Sequence, residues 1–247
     1  MAKRLRSLGA SPSLSCPTVI RIPCENRQTQ VKPPSFLLPN TGASLPEFSH
    51  LQEAATVARS CQRCPLWERA TQTVFGSGLA DARIFFVGEQ PGDVEDREGA
   101  PFVGPAGKLL DRALADARID RNLCYVTNAV KHFKWEPLGK RRLHKKPTSR
   151  EIQACRPWLE TEIALVHPGV LVALGATAAA SVFGRPIRIG ELRGRVTKAE
   201  SFATDCLVTV HPSSILRARA PEDRDREFER LVEDLRLLKP FVSRYNR

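Results

Sequence analysis

Four short apolar runs, set between longer stretches of helical periodicity, restrict this chain to a small set of folds. The runs are Arg83–Val87 (RIFFV), Leu123–Val126 (LCYV), Val170–Leu174 (VLVAL) and Cys206–Val210 (CLVTV). Short, nearly continuous apolar runs read as strands buried on both faces. Helical patterns fall between them, at Ala106–Ala117, Ser149–Val166 and Pro221–Leu238. Thr148 or Ser149, with Glu151 close behind, marks a helix start, and Gly169 follows that helix's end. Strands alternating with helices predict an α/β fold, a largely parallel sheet with helices on both faces. In such a sheet ligands bind beyond the carboxyl ends of the strands. The polar sequences directly after three of the runs are therefore the places to search.

The first 47 residues differ from the rest. Lys3, Arg4 and Arg6 precede a Ser/Pro-rich stretch through Pro33, Pro34, Pro39 and Pro46, almost without acidic residues and without a periodic apolar face. Residues 1–47 read as a disordered basic extension, and residues 48–242 as one folded domain. The prolines argue against the amphipathic helix of a transit peptide, and a start codon placed too far upstream would give the same pattern. Across the 247 residues, 38 Lys and Arg stand against 27 Asp and Glu, a formal charge of +11. That surplus favours a polyanion, whose phosphates release counterions when neutralised; a merely soluble basic protein is the plainer alternative. No apolar run reaches the roughly 18 residues of a membrane span. Seven cysteines without an apolar secretory segment imply a reducing compartment, some as metal ligands and others as small core residues.

Four constellations carry chemistry. Gly88-Glu89-Gln90-Pro91-Gly92 follows the first run, with Asp93 and Asp96 next and Pro101-Phe102-Val103-Gly104-Pro105-Ala106-Gly107 after them. Glycines let the backbone approach a ligand, and acidic groups steady a developing cation or position a water. Phe102 is either a stacking platform or a loop aromatic capping the core. His211-Pro212-Ser213-Ser214-Ile215-Leu216-Arg217 follows the last run; a histidine there can donate to an oxygen gathering negative charge. A basic run holds Lys134, Lys140, Arg141, Arg142, Lys145 and Lys146 around His144, by charge alone a set of phosphate contacts. Finally, Cys61-Gln62-Arg63-Cys64, the more distant Cys155 and His132 make a Cys₃His set, which by residue type alone favours structural zinc.

GEQPG with PFVGPAGKLLD, then YVTNAVK, then HPSSILR, in this order and spacing, resemble the uracil-DNA glycosylase superfamily over roughly residues 55 to 240. Within it the chain is most similar to the iron–sulfur branch, family 4 and its X-type relatives (UdgX). Gln90 stands where family 4 usually has Ala. Lys140-Arg141-Arg142-Leu143-His144 resembles the KRRIH element of the X type, with Leu143 for Ile. The resemblance implies an α/β three-layer sandwich, a four-stranded parallel sheet flanked by helices. The resemblance also implies excision of uracil from DNA, followed by capture of the sugar on His144 and a covalent protein–DNA bond. An imidazole held at attack distance outcompetes water, since effective molarities reach about 10⁵ M or more. It further implies Glu89, Asp93 and His211 as catalytic partners, Glu89 orienting His144 or accepting its proton. Gln90, Phe102, Asn128 and His211 are expected on uracil, Asn128 reading the Watson–Crick edge, and Gln90 is also expected to help shape the loop. Lys140, Arg141, Arg142, Lys145, Ser213, Ser214 and Arg217 are expected on the DNA. Cys61, Cys64, His132 and Cys155 are expected to hold a structural [4Fe–4S] cluster, with zinc as the alternative.

The implied partner is uracil-containing DNA, single strands preferred. A monomer in the bacterial cytoplasm, with no membrane, completes the expectation. Competing readings are a family 4 enzyme that turns over, a non-catalytic DNA-binding module, and a metalloprotein whose CxxC site is its main business.

Overall fold

The computed structural model describes residues 45–242, so all but the last three residues of the expected extension, with Cys16 and Cys24, lie outside the described residues. In chain order come α1 (Leu51–Ala58), β1 (Ser77–Gly78), β2 (Ile84–Gly88), α2 (Asp93–Glu98), α3 (Pro105–Ala117) and β3 (Cys124–Asn128). Next are β4 (Trp135–Leu138), β5 (Arg141–His144), α4 (Ser149–Val166), β6 (Val170–Leu174) and α5 (Ala176–Phe183). The chain continues through α6 (Ile189–Leu192), β7 (Val196–Ala199), β8 (Thr204–Thr209), α7 (Pro212–Leu216), α8 (Pro221–Arg236) and α9 (Lys239–Val242).

The main sheet runs β1-β3-β2-β6-β8-β7. Its centre is the expected four parallel strands, β3, β2, β6 and β8. The expectation stopped short at both edges, where β1 pairs antiparallel with β3 and β7 antiparallel with β8. These edges are short and partly exposed, so they carry no apolar run from which a strand could be read. The strand order reverses at β2, with β3 on one side and β6 on the other, a switch point of the kind that opens a ligand crevice.

Alternation along each strand builds two cores. Ile84, Phe86, Val126, Val172 and Leu207 face α3, α7 and α8, whereas Phe85, Val87, Tyr125, Leu171 and Val208 face α4 and α5. Cys124 and Cys206 are buried in these cores, as expected of small apolar residues. Helix α4 opens with Thr148 as cap: Glu151 donates its N–H to Thr148 Oγ1, and the Glu151 carboxylate accepts from Thr148 N at 2.6 Å.

A fully buried ion pair pins α4 to the end of β3. Lys131 Nζ meets Glu162, and also donates to Thr127 Oγ1 at 2.6 Å and the Asn128 carbonyl at 2.7 Å. Glu162 additionally accepts from Gly76 N at 2.7 Å, from Tyr125 Oη at 3.2 Å and from Thr127 Oγ1. A buried pair is tolerated only when its remaining lone pairs and protons are satisfied, and here they are. Lys131→Met strands the Glu162 carboxylate in an apolar interior and lowers stability by about 3–5 kcal/mol. Urea unfolding reads this as a lower midpoint at unchanged slope, and adding Glu162→Gln restores part of it. An unchanged midpoint would show that the pair does not hold the helix.

Candidate active site

Parallel pairing delivers the carboxyl ends of β2, β3, β6 and β8 to one edge, and the polar segments after them meet there. Gly88, the last residue of β2, lies opposite Asn128, the last of β3. A Cβ on Gly88 would stand 2.3 Å from Asn128 Oδ1 and 2.7 Å from Phe102 Cζ, so only glycine lets the amide and the ring close over the strand end. Phe102 is buried and held at φ 57°, an uncommon conformation for a bulky residue. Its ring stacks near His211, with centroids 6.0 Å apart. Asn128, Phe102 and His211, expected together on uracil, are neighbours.

His211 caps α7, and its hydrogen bonds fix its tautomer. Ser213 N donates to His211 Nδ1 at 3.1 Å, and Ser213 Oγ lies 2.8 Å from the same nitrogen. Nδ1 is therefore an acceptor. Burial, then the positive charge of Arg217, pushes the His211 pKa down to about 4, so the ring is neutral near pH 7. A neutral imidazole with an accepting Nδ1 carries its proton on Nε2, ready to donate to a ligand oxygen.

The basic segment expected as a loop is a hairpin, β4 against β5, with Trp135 opposite His144 and Pro137 opposite Arg142. Alternation puts Arg142 and His144 on one face and Arg141 and Leu143 on the other. Two devices hold the inner face against the domain. Gln90 donates through Nε2 to the carbonyls of Lys134 (3.2 Å) and Lys145 (3.1 Å), and its Oε1 accepts from Lys134 N (3.3 Å). Arg142 binds Asp93 and, at 2.6 Å, the buried Asp96, while its guanidinium lies over Phe133 (5.3 Å) and Trp135 (5.5 Å). Three expected residues are thus engaged within the protein. The Gln90 amide grips the hairpin base. The Arg142 guanidinium turns inward, and Asp93 pairs with Arg142 and Arg97.

Held this way, His144 Nε2 stands 3.6 Å from Glu89 Oε1, beyond a hydrogen bond but within ion-pair reach. Its side chain is half exposed, and its ring lies 6.0 Å from that of Phe133. Desolvation lowers its pKa, Glu89 raises it and Arg217 lowers it further; the net direction is down. His144 is therefore neutral at physiological pH, with a lone pair available.

Other expected residues divide by exposure. Lys140 and Arg141 are exposed at the hairpin tip, and Arg217 is exposed beside α7. Lys145 pairs with Glu136 across the hairpin at 2.8 Å. Ser213 serves His211, and Ser214 Oγ donates to the His211 carbonyl at 2.7 Å, so both hydroxyls shape the α7 turn. One residue the sequence reading passed over is Glu95, which accepts from Gly92 N (3.1 Å) and Gly104 N (2.8 Å) and ties the two glycine-bearing loops together. Its spacing of three from Gly92 was the available signal.

Cys61, Cys64 and Cys155 share a third core with Ala54, Ala58, Val130 and Trp158. Burial pushes the thiols of Cys64 up to about 11 and Cys155 to about 12. Trp158 Nε1 donates to Cys61 Sγ at 3.1 Å and Lys131 N to Cys155 Sγ at 3.2 Å. His132 is buried, with Nε2 at 2.9 Å from Thr73 Oγ1, and burial lowers its pKa to about 4. Among the described residues no three His, Cys, Asp or Glu side chains converge to hold a single metal ion.

The uracil DNA glycosylase superfamily model matches residues 75–236. The chain is similar to a type-4 uracil-DNA glycosylase from Thermotoga maritima, 38% identical over 188 residues, 75% of this chain and 91% of the relative. A type-4 uracil-DNA glycosylase from Archaeoglobus fulgidus is 34% identical over 181 residues, covering 70% and 87% of the two chains. One from Saccharolobus solfataricus is 35% identical over 176 residues, covering 68% and 78%.

The hairpin clasp is testable without any ligand. Gln90→Ala removes three hydrogen bonds, each worth about 1 kcal/mol net, from the hairpin base. Amide exchange across residues 134–145 is expected to quicken by about tenfold or more while the central strands keep their protection. Equal protection in both chains would show that the clasp carries nothing.

Proposed function

The chain belongs to the uracil DNA glycosylase superfamily, beside the type-4 enzymes, and from that premise we propose that it excises uracil from DNA and captures the resulting sugar on His144. The observation that carries the second half is the seating of His144: the hairpin brings a neutral imidazole to Glu89, close enough to His211 to act on its charge, and the His211 ring stacks near Phe102.

Uracil, extruded from the stack or presented on a single strand, lies against Phe102 with its edge on the Asn128 amide. As the C1′–N1 bond breaks, its electrons move onto the base, and His211 Nε2–H donates to the oxygen that gains the charge. Loss of one such donor typically costs about 3 kcal/mol, roughly two orders in rate. The sugar is left as an oxocarbenium-like cation. The His144 lone pair forms the new bond to C1′, and the ring proton passes to Glu89. An N-alkyl imidazole has no hydrolytic exit, so the chain stays attached. Lys140, Arg141, Lys145 and Arg217 provide cations around the cleft for the backbone, and one chain carries all these groups, so a monomer suffices.

Cys61, Cys64, Cys155 and His132 are proposed to hold a [4Fe–4S] cluster. The donor set fits in kind: three clustered thiols, two of them already accepting N–H bonds, and a neutral imidazole whose Nδ1 remains for a metal. Each ligand of a cube binds a different corner, so the donors need not converge on one point as tetrahedral zinc requires. When bound, the group would cross-link α4 and the segment after α1 to the chain after β3, and would supply no redox step.

The test is a denaturing gel of the protein with a labelled single-stranded oligonucleotide containing one uracil. A band shifted by the protein's mass and stable to SDS and heat is expected. His144→Ala should lose that band yet still release uracil, because water enters; a persisting band would sink the assignment. His211→Ala should slow excision by about two orders with DNA binding retained. An unshifted product that alkali cleaves would instead indicate turnover like that of an ordinary glycosylase. Capture should also depend on pH in one direction: it holds at neutral pH and falls as acid protonates His144, with a midpoint below the ordinary imidazole range. Capture that rises in acid would contradict a neutral nucleophile.

A further inference from the structure

We propose that Thr177 is a positioning residue for the capture step, its hydroxyl holding one oxygen of the Glu89 carboxylate so that the other faces His144. The proposal rests on the reading of His144 given above. Thr177 is the second residue of α5 and is buried. A serine or threonine in a helix commonly returns its hydroxyl to a carbonyl one turn back, as Ser181 Oγ does here toward Thr177 O at 2.9 Å. Thr177 Oγ1 instead donates to Glu89 Oε2, 88 residues away. The bond joins the segments that follow β2 and β6, adjacent strands at the point where the sheet order reverses.

The two carboxylate oxygens are thus divided, Oε2 to Thr177 and Oε1 to His144 Nε2 at 3.6 Å. The terminal torsion of a glutamate is broad, so an anchor on one oxygen decides where the other points. The turn into α5 makes the reach possible. Gly175 sits at φ 90°, and a Cβ there would lie 3.1 Å from His211 Cβ, so the first turn of α5 packs against His211 and Glu89 together. Its aligned peptide dipoles favour a carboxylate at that end.

The experiment uses the full chain, in excess over a labelled single-stranded uracil oligonucleotide, and measures the ratio of covalent adduct to free abasic DNA. Thr177→Val keeps the shape and removes the donor. It should lower that ratio about tenfold, the scale of one charge-assisted hydrogen bond, with DNA affinity and melting temperature near those of the parent. Thr177→Ser restores the hydroxyl and should restore the ratio, a rescue that a purely packing role would not give. A parental ratio in Thr177→Val, or a Thr177→Ser chain as impaired as Thr177→Val, overturns the proposal. Thr177→Ala supplies the same comparison if Thr177→Val does not fold. A parent chain that yields only free abasic DNA overturns the His144 reading and this proposal with it, an outcome distinct from an adduct-forming parent with an unaffected valine variant.

Discussion

The ladder that joins β2 in parallel to β3 on one side and to β6 on the other is the interaction on which the site depends. It places Gly88 opposite Asn128 and sends the chain after each strand to the same edge. A slip of one residue would turn every strand side chain to the opposite face, so the two cores fix the register as firmly as the hydrogen bonds do. The buried Lys131–Glu162 pair reinforces the same point from the α4 side, because Lys131 also bonds the Asn128 carbonyl. The residue that would read the base edge therefore sits on backbone held by strand pairing and by an ion pair that water does not reach.

The hairpin is anchored by a different kind of force. Most ion pairs on this surface, such as Arg226 with Asp223, are exposed and contribute little. Arg142 differs in being mostly shielded, bound to two carboxylates and lying against two aromatic rings. A lysine there would lose both the fork and the ring contacts. Gln90 adds direction, since its amide grips the two carbonyls where the hairpin leaves and rejoins the domain. Of the six cationic side chains along this segment, Lys134, Arg142 and Lys145 are paired with carboxylates, whereas Lys140 and Arg141 are exposed at the hairpin tip.

His144 and His211 are both kept neutral by desolvation, and they use that state oppositely. His211 has Nδ1 occupied by Ser213, so its free nitrogen bears a proton and acts as donor. His144 has only the longer contact to Glu89, and neutrality leaves it a lone pair. His144 lowers the tendency of His211 to charge, and Arg217 lowers that of both, which places the two in one electrostatic neighbourhood. One fold thus presents, at the same pH, an imidazole with its proton on the ring nitrogen away from Ser213 and a second neutral imidazole beside Glu89.

Much of this was determined by local sequence. Continuous apolar runs could only be strands covered on both sides, Thr148 with Glu151 could cap a helix, and the order of the GEQPG, NAVK and HPSS segments put Glu89, Asn128 and His211 at strand ends. Periodicity and capping are short-range, so they leave marks a few residues apart. The edge strands β1 and β7, the hairpin in place of a loop, the inward turn of Arg142 and the clasp of Gln90 left no such marks. Each depends on a partner 40 or more residues away or on pairing without an apolar run, as in Gln90 with Lys134 and Lys145, separated by 44 and 55 positions. Only tertiary structure decides such contacts, because a charged or amide side chain reads alike in sequence whether it faces water or closes on a buried carboxylate or carbonyl.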